Sequence, residues 1–197
     1  MELDHLAITC ADLDKGADWL SEQLGLPLLA GGKHAAFGTH NKLLGLADGL
    51  YLEVIAPDPD VQMTTPRWFN LDHAPDLPRW GNWICRTADF DTHAAITGPA
   101  IAMSRGDLRW QITVPHDGSL PLQGAFPTLI QWDSATDHPA TLLPASGVRL
   151  IRWEVHHPDA KTLRVLCQFD DPRIAFVPDE TLRFVAHFDA PAGRIIL

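Results

Sequence analysis

Glu53 poses the sharpest chemical question in this sequence. It lies in the run Tyr51-Leu52-Glu53-Val54-Ile55, and a carboxylate among apolar neighbours is costly to bury unless it has a partner. Three roles meet that need: an ion pair with a histidine or arginine, ligation of a metal, or service as a general base. His5 stands in a similar run, His5-Leu6-Ala7-Ile8-Thr9, either as a hydrogen-bonded strand histidine or as a partner for Glu53. Arg86 and Arg109 carry guanidinium forks that match a carboxylate bidentately. They suggest an anionic ligand, or else each pairs with Glu53 or a surface acid. Trp68 and Trp80 fall in a proline-rich connector and are candidates for stacking on a ligand. His34 and His40 flank a turn. No phosphate-loop pattern surrounds Gly31-Gly32, and no serine sits in a nucleophile-elbow sequence.

The elements that must position these residues repeat. Ala11-Asp12-Leu13-Asp14 recurs as Ala88-Asp89-Phe90-Asp91, an offset of 77 (88 minus 11). Tyr51-Leu52-Glu53-Val54 recurs as Leu129-Ile130-Gln131-Trp132, and Glu53 to Gln131 is an offset of 78 (131 minus 53). Repeats of this kind decide the architecture before any single element does. In the first copy, His5–Thr9 reads as a strand and Asp12 as a helix N-cap. Leu13, Ala17, Leu20 and Leu24 recur at helical spacing, and Gly25 and Pro27 stop the helix. Gly31-Gly32 reads as a turn, His34–Thr39 and Lys42–Leu46 as short strands, and Leu50–Ile55 as the last strand. The second copy runs Asn82–Arg86, a short helix Phe90–Ile96, then strands Leu108–Val114 and Thr128–Trp132. The chain divides into a first βαβββ module (1–60), a Pro/aromatic connector (61–81), a second module (82–146) and a degenerate third βαβββ-like unit (147–197). All form one compact α+β domain, a curved mixed sheet around a central cleft.

Side chains alternate faces along a strand. If the apolar faces pack on the helices, the opposite faces line the cleft with His5, Glu53, Asn82, Arg86, Arg109, Gln111 and Gln131. A register slip would break this grouping.

Composition narrows the function classes. The 197 residues carry a net charge of −10, which argues against nucleic acid and against an anionic membrane surface. Three widely spaced cysteines, Cys10, Cys85 and Cys167, read as buried thiols of a reducing compartment. No basic-then-apolar leader opens the sequence and no run approaches the ~20 apolar residues of a membrane span, so the expected location is cytoplasmic.

Three stretches resemble the glyoxalase-like domain family of the vicinal oxygen chelate superfamily, which includes glyoxalases, bleomycin-resistance proteins and extradiol dioxygenases. They are Leu3-Asp4-His5-Leu6-Ala7-Ile8, Gly38-Thr39-His40-Asn41-Lys42-Leu43 and Leu52-Glu53-Val54-Ile55-Ala56-Pro57, and Leu108-Arg109-Trp110 and Leu129-Ile130-Gln131-Trp132 continue the likeness. The resemblance implies a divalent metal (Zn, Fe, Mn or Ni) in the cleft, held from the first and last strands of each module. Those positions are His5 and Glu53, then Asn82 and Gln131, with His40 as a substitute ligand if its turn folds inward. His and Glu suit such ions, Gln is tolerable and Asn unusual. The implied function is binding of a small anionic oxygenated molecule, with metal- or Glu53-assisted isomerase, lyase or dioxygenase chemistry. The alternative is a metal-free protein that sequesters its ligand without turnover. Such a protein is expected as a monomer or homodimer.

Overall fold

A computed structural model describes residues 1–197. The first module comprises β1 (Glu2–Thr9), α1 (Leu13–Leu24), β2 (Leu29–His34), β3 (Thr39–Gly45) and β4 (Tyr51–Pro57). A 3-10 turn, Trp68–His73, interrupts the connector. The second module comprises β5 (Arg79–Arg86), α2 (Ala94–Thr97), β6 (Ala100–Arg105), β7 (Leu108–Thr113) and β8 (Thr128–Trp132). After α3 (Pro139–Leu142) come β9 (Arg149–His157), α4 (Ala160–Cys167), β10 (Ile174–Pro178), β11 (Arg183–Ala190) and β12 (Gly193–Ile196).

The two modules share one eight-stranded sheet of order β2-β3-β4-β1-β5-β8-β7-β6. It curls until its two edges meet: a side chain placed on Gly32 of β2 would collide with Arg105 of β6. Gly31-Gly32 is therefore not the expected turn. Both glycines lie within β2, where a Cβ would strike Asn41 and Arg105, and the turn falls at 35–38, inside the stretch expected to be a strand. Helix α1 starts where its cap dictates, with the Asp12 carboxylate accepting from the N–H groups of Asp14 and Lys15, and it ends on left-handed Gly25.

The pairing of β1 with β5 carries the repeat into three dimensions. Leu6 faces Trp83, and Ala7–Asn82 mirrors His5–Ile84 about that pair. Each strand holds one extra residue, Asp4 between Leu3 and His5 and Gly81 between Trp80 and Asn82. These two bulges are themselves 77 apart (81 minus 4), so the sequence offset is the symmetry of the sheet. His5 and Asn82 are equivalent.

One face of the barrel wall packs outward. Leu3, Leu6, Ile8, Leu52, Val54, Trp83, Cys85 and Leu129 join α1 and the inner side of a second sheet in the larger core. That second sheet has the order β10-β9-β11-β12. The C-terminal unit thus keeps the β-α-β-β-β element order. Its first strand, however, pairs in parallel with the strand straight after its helix, whereas β1 pairs in parallel with β4. Its Trp153, Val155 and Phe188 bury against Trp80, Trp83 and their neighbours. The second sheet packs where Trp83, Cys85 and Leu129 face outward, and α2 is a single turn that stops at Gly98. The three cysteines are buried and unpaired. No helix is long and apolar enough to cross a membrane.

Candidate active site

The inner face of the barrel holds a polar chain in an apolar vault. His5 and Glu53 project inward, and the His5 Nε2 lies 3.6 Å from Glu53 Oε2. The other ring nitrogen, Nδ1, is 2.6 Å from Asp4 Oδ1. Asp4 reaches that position only because it is the bulge residue of β1. In a regular strand, neighbours such as Asp4 and His5 point to opposite faces. Asp4 is fully buried, and its second oxygen accepts from the Trp132 indole N–H at 3.0 Å and from His138 Nε2 at 2.9 Å. His138 accepts the Ala140 N–H on its Nδ1, which leaves Nε2 as the donor. On the far side, Asn41 donates from Nδ2 to Glu53 Oε1 at 2.5 Å, while its Oδ1 accepts from Arg105 Nη1 at 3.3 Å and from the Gly32 N–H. The network thus runs from Arg105 through Asn41, Glu53, His5 and Asp4 to His138.

Charges along this chain are held firmly. Burial opposes a charge on His5, but the hydrogen bond it donates to Asp4 and the Glu53 carboxylate beside it outweigh burial and raise its pKa to about 9. His5 is therefore an imidazolium at neutral pH. Burial alone would raise the pKa values of both carboxyls. The bonds from His138 and His5 drive Asp4 far below the ordinary carboxylate range, and His5 and Asn41 lower Glu53. His34 behaves oppositely: burial, with the Arg105 charge beside it, lowers its pKa to about 4. Neutral His34 accepts from Arg105 on Nε2 at 3.0 Å, so Nδ1 carries the hydrogen and donates to Thr39 Oγ1 at 3.1 Å. Tyr51 stacks on His5 with ring centres 4.3 Å apart.

The vault is nearly full. Trp110, Ile112, Ile130 and Trp132 line the second-module side, and Trp68 and Phe69 roof it from the connector. What remains beside His5 and Glu53 is about 30 Å³, room for a water or two.

Of the residues expected in the cleft, the barrel brings together His5, Glu53 and Trp68. Gln111 and Gln131 lie opposite one another on β7 and β8 and are exposed on the outer face. The offset of 78 taken for the last strands is the source of this difference. Thr128 pairs with Ile84 as Glu53 pairs with Ala7, so by the symmetry that maps Ala7 on Ile84 the equivalent of Glu53 is Thr128. Gln131 is three residues on, and an odd slip reverses the face. Arg109 is exposed and donates to the Gly106 and Leu108 carbonyls of its own turn. Arg86 stands behind Asp4, with Nε 3.6 Å from its carboxylate. His40 is one residue out of phase; its neighbours Thr39 and Asn41 take the inner face. Trp80 lines a different cavity. The assumption behind these differences was that apolar faces meet helices. In the second module α2 is a single turn, and Trp110, Ile112, Ile130 and Trp132 fill the barrel instead.

The donor set does not suit the implied metal. His5 offers no lone pair, since one nitrogen faces Asp4 and the other Glu53, with the ring charged. Asn82 donates to Thr128 Oγ1 at 2.9 Å and accepts the Trp83 N–H on Oδ1. Gln131 faces solvent, and nowhere do three or more His, Cys, Asp or Glu side chains converge as ligands.

A model of the glyoxalase-like domain matches residues 3–168. The chain belongs to the glyoxalase-like domain family. Among solved structures, it is similar to methylmalonyl-CoA epimerase from Mycobacterium tuberculosis at 20% identity and a TM-score of 0.41, over 66% of this chain and 86% of that one. A Streptomyces coelicolor methylmalonyl-CoA epimerase variant, in complex with 2-nitronate-propionyl-CoA, is similar at 19% identity and a TM-score of 0.43, over 70% and 98%. No curated protein matches the chain.

Asp4, Asn41, His34 and Arg105 are the site residues that parity alone did not reveal. Asn41 shares the phase of Thr39 in β3 and could have been found. Asp4 depends on a bulge, and Arg105 on the meeting of the two sheet edges, neither of which has a sequence signature.

Proposed function

We propose that this member of the family works without a metal and moves a proton on a small anionic organic molecule, Glu53 acting as base and His5 as acid. The observation that carries this is the Asp4–His5–Glu53 chain, buried in the barrel and continuous with the Arg105 guanidinium. Glu53 is ionised at neutral pH and of low basicity, so its substrate is a carbon acid whose C–H is activated by a neighbouring carbonyl. The proton passes from carbon to Glu53 and the C–H electron pair forms the enolate. His5, oriented by Asp4, donates to the developing oxyanion. Return of the proton from Glu53 to the same carbon regenerates the substrate with solvent hydrogen exchanged, and its delivery to a neighbouring carbon completes an isomerisation. Arg105 supplies the positive charge for the anionic group. Entry requires the roof of Trp68 and Phe69 to move, because the closed vault admits no organic molecule. The site sets no chain of ligands for a divalent ion, and dialysis against Zn, Fe, Mn or Ni is expected to leave less than stoichiometric metal by elemental analysis.

One observation favours a second reading, a ligand-sequestering protein without turnover: both ring nitrogens of His5 are already engaged. Solvent exchange separates the two. The protein is incubated in D2O with pyruvate, 2-oxobutyrate or oxaloacetate, with and without EDTA, and loss of the C3–H signal is followed by NMR. Proton transfer predicts exchange above the buffer rate, lost in Glu53→Gln. Ligand binding with exchange only at the buffer rate would support sequestration, and exchange abolished by EDTA would restore the metal.

A further inference from the structure

A cavity far roomier than the barrel interior lies elsewhere in the molecule. It lies where the connector, the start of β5 and the second sheet meet, and it encloses about 560 Å³, within the usual range for small-molecule sites. We propose that this cavity is a second binding site, for an organic anion with a flat aromatic body.

Three features support the assignment. The first is charge. The protein has 25 acidic and 15 basic side chains, yet no Asp or Glu lines this cavity, while Arg79, Arg183 and His73 do. Arg183 is committed to Asp179 through two contacts. Arg79 has no acidic group within 4 Å, unlike Arg86 and Arg183, and is free to meet a carboxylate or sulfonate. The second is the apolar wall. Trp19, Phe69, Trp80 and Phe184 supply rings from α1, the connector, β5 and β11, the composition that stacks on a planar body. The third is backbone strain. Phe69, Asn70 and Gln123 all line the cavity and all hold left-handed φ angles, 58°, 56° and 61°. Non-glycine residues persist there only where surrounding structure enforces it, and such residues concentrate at ligand clamps.

One wall of the cavity lies outside the stretch that matches the family. Leu182, Arg183, Phe184 and Leu197 form one wall, beyond the matched residues 3–168. It meets the barrel interior at one residue, Phe69, which lines both. The proposal does not depend on proton transfer in the barrel.

Calorimetric titration with 2-naphthoate and its neutral counterpart 2-naphthamide tests it. The expected result is one saturable site for naphthoate, with the amide binding at least roughly tenfold more weakly, the scale of a hydrogen bond to a charged group. Arg79→Gln should weaken naphthoate by a similar factor with an unchanged melting temperature, because Arg79 is exposed and unpaired. Glu53→Gln should leave binding intact. The proposal fails if naphthoate shows no saturable binding at millimolar concentration, or if acid and amide bind alike. It also fails if Glu53→Gln abolishes binding while Arg79→Gln does not, which would assign the ligand to the barrel.

Discussion

Raising the pH should unfasten the barrel interior, and His5 fixes the window. Its pKa is about 9 in the folded protein against an ordinary 6.5, so the folded state holds the proton over a range where the unfolded chain has lost it. The stabilisation is fully present below pH 6.5 and is lost as pH rises to about 9. The gap between the two values corresponds to about 3 kcal/mol. An unfolding entropy of roughly 2.1 cal/mol/K per residue over this chain length converts that into a fall in Tm of about 7 °C. The window is clean on both sides. His34, with its folded pKa lowered to about 4, acts below it. The buried cysteines, whose pKa values burial pushes up from 9, erode stability only above it. Differential scanning calorimetry at half-unit pH steps gives the Tm profile, and an NMR titration of the His5 Cε1–H reports its protonation directly. A flat Tm between pH 7 and 9, or a His5 titrating near 6.5, would refute the buried Asp4–His5–Glu53 chain as described.

Asp4→Asn should destabilise the protein by roughly 3–5 kcal/mol, since it breaks a buried charge pair and turns a donor toward Trp132 and His138; chemical denaturation measures this, and a loss under 1 kcal/mol would contradict the bulge geometry. Gln131→Ala should change stability by no more than about 0.5 kcal/mol and leave ligand binding untouched, because its side chain faces solvent. Phe69→Ala should cost roughly 3–5 kcal/mol for the buried ring and join the barrel interior to the larger cavity, read as faster hydrogen exchange of the His5 and Glu53 amides. Unchanged exchange would mean that Phe69 is not the partition.

The sequence by itself determined the duplication, and with it the equivalence of His5 and Asn82. An offset of 77 between capping motifs is a covalent fact that survives into the strand register. It also determined helix α1, whose cap and stop are local interactions, and the inward phase of Glu53, since β4 is regular. What the tertiary structure decided is everything that depends on which surface covers which. The second sheet covers the outer side of the second module only where Trp83, Cys85 and Leu129 meet it, and the outer side at Gln111 and Gln131 stays open to solvent, so there the apolar residues turn inward. Gln111 and Gln131 are left in water, and the vault fills with Trp110 and Trp132. The bulge at Asp4 exists only because β1 and β5 pair in one particular register, and it converts an outward aspartate into the partner of His5. Arg105 enters the network because the barrel closes on Gly32. Strand parity is a local rule, whereas bulges, closure and burial arise from contacts distant in sequence, and those contacts place the charges in the barrel.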